Sequence, residues 1–326
     1  MTEKINALDQ HIQSLAMQSN ENVPTSVGMF SVKSANQTIQ EAAQRPNPEA
    51  LYDTLWYEGE VCCLFADSNL GKSIYAVQIA NHIAQKQKVL YFDFELSDKQ
   101  FQLRYTDDNG NLYQFPKDLY RVEINRESYE IGNFEESVIN DIEAAAIQTA
   151  AKVFIIDNLT YLCIAAEKGD VAGTLMLRLM ALKRKYNLSM LILAHTPKRS
   201  MTNPLTQNDL AGSKKLINFF DAAFAIGKSA KDGNLRYIKQ IKVRHGNYTY
   251  DSENVIVSSI EKESNFVMFQ SIGFANEREH LKEPSDNDEA ELINNIKRLV
   301  SEEKSYRNVA KELGISVSKV QRALKK

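Results

Sequence analysis

Cysteine is scarce. Cys62, Cys63 and Cys163 are the only three, with no C-x-x-C spacing and no histidine beside them. That excludes a zinc ribbon or a disulfide framework, makes Cys62 and Cys63 buried members of an apolar stretch, and fits a reducing cytosol. No apolar run reaches the length of a membrane span, and the polar N-terminus lacks the apolar core of a signal peptide. The expectation is a cytoplasmic protein with no membrane partner. Internal repeats and low-complexity runs are absent as well. Neither charge sign dominates: 39 basic against 42 acidic residues leave a net charge of −3, so any nucleic-acid surface must be local. What remains is 43% hydrophobic and 25% charged residues over 326 positions, the composition of a globular chain with room for one large domain and a small one.

Residues 61–73, VCCLFADSNLGKS, organise the chain. An apolar run over 61–65 bounded by a turn reads as a buried strand. Gly71, Lys72 and Ser73 then open a helical pattern through Tyr75, Val77, Ile79 and Ile83. Strand, small-residue loop, Gly-Lys-Ser and helix make a phosphate-binding P-loop, in which backbone N–H groups converge on one anion. The first glycine of that motif is missing, because Ala66 holds its place. The position closes a strand, where a negative φ serves and the small Ala side chain is tolerated. A bare Gly-Lys-Ser at a helix start also occurs by chance, but the buried strand before it and the amphipathic helix after it favour the nucleotide reading. The cradle comprises Ala66, Asp67, Ser68, Asn69, Leu70, Gly71, Lys72, Ser73 and Ile74. Lys72 lies along the β/γ-phosphates, and the Ser73 hydroxyl is a ligand for Mg²⁺.

Residues 1–48, rich in Gln, Asn, Ser and Glu, read as a polar arm and linker with one weak amphipathic helix at Ile5, Leu8, Ile12, Leu15 and Met17. Residues 49–275 alternate strand and helix signals, which predicts an α/β domain with a mostly parallel sheet. Strands are predicted at 89–94, 120–124, 153–156 and 190–194, and helices from Ser97, over 134–150 and over 171–186. Beyond Phe219 the alternation at 234–244, 254–260 and 265–269 predicts an antiparallel extension. Residues 276–287, polar and charged with Pro284, read as a linker to a small helical domain over 288–326.

Asp157 ends an apolar strand, and in open α/β sheets ligands sit at the carboxyl ends of strands. A carboxylate there either holds Mg²⁺ through its water shell, the Walker B role, or caps the following loop. Glu95 lies just past the 89–94 strand, where it either takes a proton from an attacking water or caps the helix starting at Ser97.

Residues 89–104 resemble the segment of DnaB-type replicative helicases in which a strand ends in Glu-Met-Ser. Taken in order, residues 66–73, 155–158 (IIDN) and 194–198 (AHTPK) are similar to the RecA-like ATPases, specifically the plasmid RepA-like hexameric helicase branch. The resemblance covers about 51–247. It implies a RecA-like fold, ATP and Mg²⁺ as cofactors, Glu95 as general base and Asp157 as the metal-side carboxylate. His195 would sense the γ-phosphate at a place often held by Gln; a purely structural histidine is the other reading. Residues 242–246 (KVRHG) resemble the strand end through which such helicases insert basic side chains into a neighbour's ATP site, which implies Lys242 and Arg244 in trans and self-association as a hexamer or other ring. The loop 197–213, with Lys198 and Arg199 and with Lys214 and Lys215 just beyond, either faces DNA or is simply solvated.

Residues 306–322 look like a helix-turn-helix. Ala310 is small at a helix crossing, Gly314 takes the turn, Ile315 and Val320 pack inward, and Ser316 caps a second helix. That helix presents Ser318, Lys319, Gln321, Arg322 and Lys325, donors suited to phosphates and base edges. The same helices also suit oligomerisation or protein docking. The expected function is ATP hydrolysis coupled to action on DNA, as in a RepA-like helicase or a DNA-dependent ATPase. The alternatives are an ATP-gated DNA-binding regulator that does not translocate, and a signalling ATPase similar to KaiC.

Overall fold

The structure, a computed structural model, describes residues 25–124, 134–162, 169–197, 199–210, 216–283, 286–302, 304–313 and 315–325. The chain divides into two compact units, Met1–Pro48 and Glu49–Lys326. In the first, strands β1 (Thr25–Val27) and β2 (Phe30–Val32) form a hairpin closed by Gly28 and Met29. Gly28 takes φ 57, the left-handed conformation such a two-residue turn requires. Helix α1 (Ala35–Ala43) follows, with the Ser34 hydroxyl accepting from Gln37 N at 3.1 Å. Residues 25–43 are therefore ordered elements where composition suggested a linker. The helix expected near Ile5 to Met17 lies outside the described residues.

The second unit opens with a hairpin of β3 (Ala50–Tyr52) and β4 (Trp56–Tyr57), which buries Trp56 completely. A central sheet follows, built from β5 (Val61–Ala66), β6 (Val89–Asp93), β7 (Leu119–Val122), β8 (Val153–Asp157), β9 (Ser189–His195), β10 (Ala222–Lys228), β11 (Leu235–Lys242), β12 (Val255–Glu263) and β13 (Phe266–Ala275). Its order is β13-β12-β11-β10-β5-β9-β8-β6-β7, parallel from β10 through β7 and antiparallel from β11 to β13. This is a RecA-like α/β fold with an antiparallel extension.

Every residue of β5, β6 and β8 is buried, because helices cover both faces of the parallel part. Side chains alternate between two cores. Val61, Cys63 and Phe65 point to the face packed by helices α4 (Phe134–Thr149) and α6 (Gly169–Tyr186). Cys62, Leu64 and Ala66 point to the face packed by Tyr75, Ile79 and Ile83 of helix α2 (Lys72–Ile83). The adjacent cysteines thus belong to opposite layers, both free and buried, and burial pushes the Cys62 thiol well up. Two short helices complete this part: α3 (Asp98–Arg104), capped by Ser97 and Gln100, and α5 (Leu159–Leu162).

Residues 222–228 (AAFAIGK), not expected as a strand, form β10, which pairs directly with the P-loop strand β5. Alanine and glycine give a weak strand signal, but here small side chains are required: the Tyr237 ring fills the place a Gly227 side chain would take. The expected linker from 276 is also corrected in its first half. Asn276 caps a 3₁₀ turn, Glu277–His280, whose Glu277 is 1% exposed. Glu277 Oε2 meets Lys239 Nζ at 2.5 Å, and Oε1 accepts Leu205 N at 2.7 Å.

Beyond it lie α7 (Asp286–Ser301), α8 (Tyr306–Leu313) and α9 (Val317–Leu324). They share a small core of Ile296, Leu299, Val309, Ala310, Val320 and Ala323. Ser316 accepts from Lys319 N at 3.2 Å and caps α9. Among the described residues no helix is long and apolar enough to cross a membrane.

Candidate active site

The crossover from β5 through α2 to β6 passes over β9 and β8, so the turn after β5 opens into a crevice at the carboxyl edge of the sheet. Gly71 enters α2 at φ 92, and a Cβ there would meet Ile260 Cδ1 at 2.7 Å and Phe269 Cε2 at 2.9 Å. Both the conformation and the closeness of the β12–β13 hairpin demand glycine. Gln78 of α2 holds that hairpin, accepting from Phe269 N at 2.8 Å and donating to Phe269 O at 3.2 Å. Asn69 also takes a positive φ, 62, whereas Ala66 does not, so the missing first glycine costs the loop no strain.

Lys72 is buried and donates to the carbonyls of Ala66 at 2.8 Å and Asp67 at 3.0 Å. Its Nζ also lies 3.3 Å from His195 Nδ1. An ammonium has only N–H groups to offer, so Nδ1 accepts. Burial lowers the Lys72 pKa, while the charges of Asp157, Glu95 and Asp67 oppose that shift.

On the other side of the imidazole, Nε2 lies 3.1 Å from Asn158 Nδ2 and 3.6 Å from Glu95 Oε1. Asn158 Nδ2 also donates to Glu95 Oε1. The neighbouring His195 imidazole is the chief cause holding the Glu95 carboxyl below its ordinary range, with burial opposing it. Four side chains therefore touch in sequence, Lys72 from the start of α2 and His195, Asn158 and Glu95 from the ends of β9, β8 and β6. Capping of the next helix, the other reading of Glu95, falls to Ser97 and Gln100 instead.

Asp157 is 1% exposed and accepts from the Tyr91 hydroxyl at 2.7 Å, with the Ser73 hydroxyl nearby. Burial pushes its carboxyl up to about 6, against the lowering influence of the Ser73 and Tyr91 hydroxyls and with the nearby charges of Glu95 and Asp93 adding to the rise. A hydroxyl and a carboxylate oxygen side by side form a hard donor pair suited to Mg²⁺, and a cation there would restore the ionised form. Among the described residues no group of three or more His, Cys, Asp or Glu side chains could hold a metal. A Mg²⁺ held by Ser73 and Asp157 would need phosphate oxygens and water to complete its shell.

Lys242 and Arg244 are not brought to this crevice. Lys242 pairs with Ala223 at the start of β10, whereas Ala66 pairs with Ile226 near its end, so the two basic residues sit at the opposite edge of the sheet. Lys242 Nζ donates to Ile217 O at 2.8 Å; Arg244 meets Asp221 Oδ1 at 2.8 Å and Asn218 O at 3.1 Å. Arg199 differs from expectation. Rather than facing outward, its side chain is 10% exposed, held by Asn203 O and by Asp209 Oδ1 at 3.5 Å. With Lys228 and Arg236 it lines a cleft beside residues 67–70. Lys198, Lys214 and Lys215 lie outside the described residues. On α9 and its C-cap, Lys319, Gln321, Arg322 and Lys325 are exposed, while Val320 and Ala323 face inward. Asn158 and Tyr91 gave no independent signal in the sequence beyond Asn158 following the strand-end Asp157.

Fold and crevice together define a RecA-like P-loop ATPase. Residues 31–201 match the AAA domain family, more than half of the chain, and the chain belongs to that family. Among solved structures it is similar to a KaiC-like protein of the hyperthermophilic archaeon Pyrococcus horikoshii, with a TM-score of 0.51 and 12% identity over 69% of this chain and 100% of that one. That likeness concerns the fold. No curated protein matches the sequence.

Proposed function

We propose that this ATPase turns over ATP in an assembly of like subunits and couples that turnover to DNA, as a RepA-like helicase or a DNA-dependent ATPase. The observation that carries the reading is the contact chain from Lys72 through His195 and Asn158 to Glu95, with Ser73 next to Lys72 and Asp157 next to Asn158 in the sequence. In this scheme Lys72 leaves its two carbonyl partners for the β- and γ-phosphates. Glu95 accepts a proton from water as the water oxygen bonds to the γ-phosphorus and the bond to the β–γ bridging oxygen breaks, releasing ADP. Ser73 and Asp157 would hold Mg²⁺, which would supply charge neutralisation on the phosphate oxygens. His195, touching both Lys72 and Glu95, would report whether a γ-phosphate is present.

Lys242 and Arg244 lie too far along the sheet to serve their own crevice, so a catalytic role for them requires a neighbouring subunit. Support for DNA as partner comes from α9, whose outward face carries Lys319, Gln321, Arg322 and Lys325 above a packed inner face. The test is ATP turnover measured alone, with single-stranded DNA and with duplex DNA. Stimulation by single strands together with fork unwinding supports the helicase. Stimulation by duplex without unwinding supports a non-translocating regulator. Indifference to both removes DNA from the scheme and leaves a signalling ATPase.

A further inference from the structure

Strand β6 ends at Asp93, and the chain must turn sharply there to present Glu95 before Ser97 caps α3. The last ladder bond is Phe94 N to Asp157 O at 2.9 Å. Beyond it, the N–H groups of Glu95 and Leu96 both donate to Asp93 Oδ1, at 3.2 and 3.0 Å. The other carboxylate oxygen is held from the neighbouring strand, where Arg121 Nε donates to Asp93 Oδ2 at 2.9 Å. The same guanidinium donates to Leu96 O at 2.6 Å and lies 4.9 Å from the centre of the Phe101 ring on α3. Both polar backbone atoms of Leu96 are thus tied, one to each member of the ion pair.

A turn alone does not need this. A neutral Asn or Ser side chain accepts two backbone N–H groups without desolvating a charge, whereas the Asp93 side chain is 0% exposed and a buried ion pair contributes little net stability. What the pair adds is stiffness, linking β6, β7 and α3 at the residue next to Glu95. A reacting group displaced by about 1 Å loses about 10²-fold in rate, so stiffness at that point has a kinetic consequence.

We infer that Asp93 and Arg121 are positioning residues for the attacking water's base, acting on turnover only through Glu95. This rests on the assignment of Glu95 proposed above. The test is a double-mutant cycle in the full-length chain, using single-turnover hydrolysis, ATP binding and thermal melting. Arg121 lies on the edge strand β7, so Arg121→Gln should fold. It should lower kcat about 10-fold, a fraction of the loss for full misplacement, with ATP binding unchanged because the Lys72 loop is untouched. Arg121→Lys, which keeps the charge but not the fork, should recover only part of the loss. In a Glu95→Gln background, Arg121→Gln should cost nothing further. Asp93→Asn, which keeps the shape and one acceptor, should show the same non-additivity and serves if Arg121→Gln melts below the assay temperature. Full kcat in Arg121→Gln, or an equal loss on top of Glu95→Gln, overturns the inference while leaving the base assignment intact. Normal turnover in Glu95→Gln by itself overturns both.

Discussion

Asp157 shows most directly how burial prepares a residue for a ligand. Taking the carboxyl out of water favours its neutral form and raises its pKa to about 6 from an ordinary 3.8. The native state therefore holds this proton more tightly than the unfolded chain does. Stability from the neutral carboxyl is fully present below about pH 4 and is lost as pH rises toward 6, so at neutral pH the ligand-free protein carries a penalty on the order of 3 kcal/mol. Mg²⁺ with nucleotide would offset it. Asp157→Asn keeps the shape without the charge. It should raise the melting temperature of the ligand-free protein at pH 7.5, lose Mg²⁺-dependent ATP turnover, and show a melting advantage that shrinks as pH falls toward 4. A variant that melts lower than wild type at pH 7.5 would show that the ionised carboxylate is already compensated within the protein.

At the scale of elements, what was legible follows from where each element's partners lie in sequence. Strands β5, β6, β8 and β9 are short apolar runs that lead into the candidate site, and the pattern exposes them because both faces are buried. Glu95, Asp157 and His195 were readable for the same reason, each lying at or just past a strand end, and Lys72 by its place at the start of the helix after β5. Strand β10 was not, since its small residues answer to Tyr237 and to β5, both distant in the chain. Glu277 looked like linker charge because its partners, Lys239 and Leu205, lie 38 and 72 residues away. Arg199 reads from the sequence as an outward cation, facing DNA or solvent, because the contacts with Asn203 and Asp209 that recapture it arise only from the fold of its own loop. Local pattern carries strand ends; it does not carry buried polar pairings.

The Glu277 pairing has a measurable consequence. Lys239 Nζ also donates to Leu205 O at 2.8 Å, so the ion pair clamps both polar backbone atoms of Leu205 in the segment after His195. Glu277→Ala leaves the Lys239 ammonium buried without its counter-charge and should destabilise the protein by about 3–5 kcal/mol, read by denaturant unfolding. Adding Lys239→Met should recover part of that loss. A loss under about 1 kcal/mol, the range of exposed pairs, would mean that water reaches the site.

At the scale of the whole molecule, the proposed assembly and the proposed DNA partner make separate claims. For assembly, Arg244→Ala should keep ATP binding and lose hydrolysis. Mixed with Glu95→Gln protein it should regain turnover, because an interface joining an intact base to an intact arginine then exists. Co-assembly without recovery at any mixing ratio would return Arg244 to the structural role seen in its own chain, holding Asp221 and Asn218 O.

For DNA, a truncation must respect the packed 3₁₀ turn: removing Glu277–His280 would strip the buried partner of Lys239 and confound the result. A chain ending at Glu283 removes α7 to α9 and their separate small core while leaving Glu277 in place. Past Glu303 the sequence carries Lys304, Arg307, Lys311, Lys319, Arg322, Lys325 and Lys326 against Glu312. Lys304 is already paired with Glu302 and Glu312, while Arg307 and Lys311 of α8 and Lys319, Arg322 and Lys325 at α9 are exposed. Contacts from several of these to phosphates release counterions, so binding should weaken steeply with salt. The truncated protein should keep basal ATP turnover and lose duplex affinity by at least ~10-fold at moderate salt, the scale of a few phosphate contacts. If α7 to α9 instead join subunits, the same truncation lowers both sedimentation coefficient and ATP turnover, while fluorescence anisotropy reports an unchanged duplex affinity per subunit.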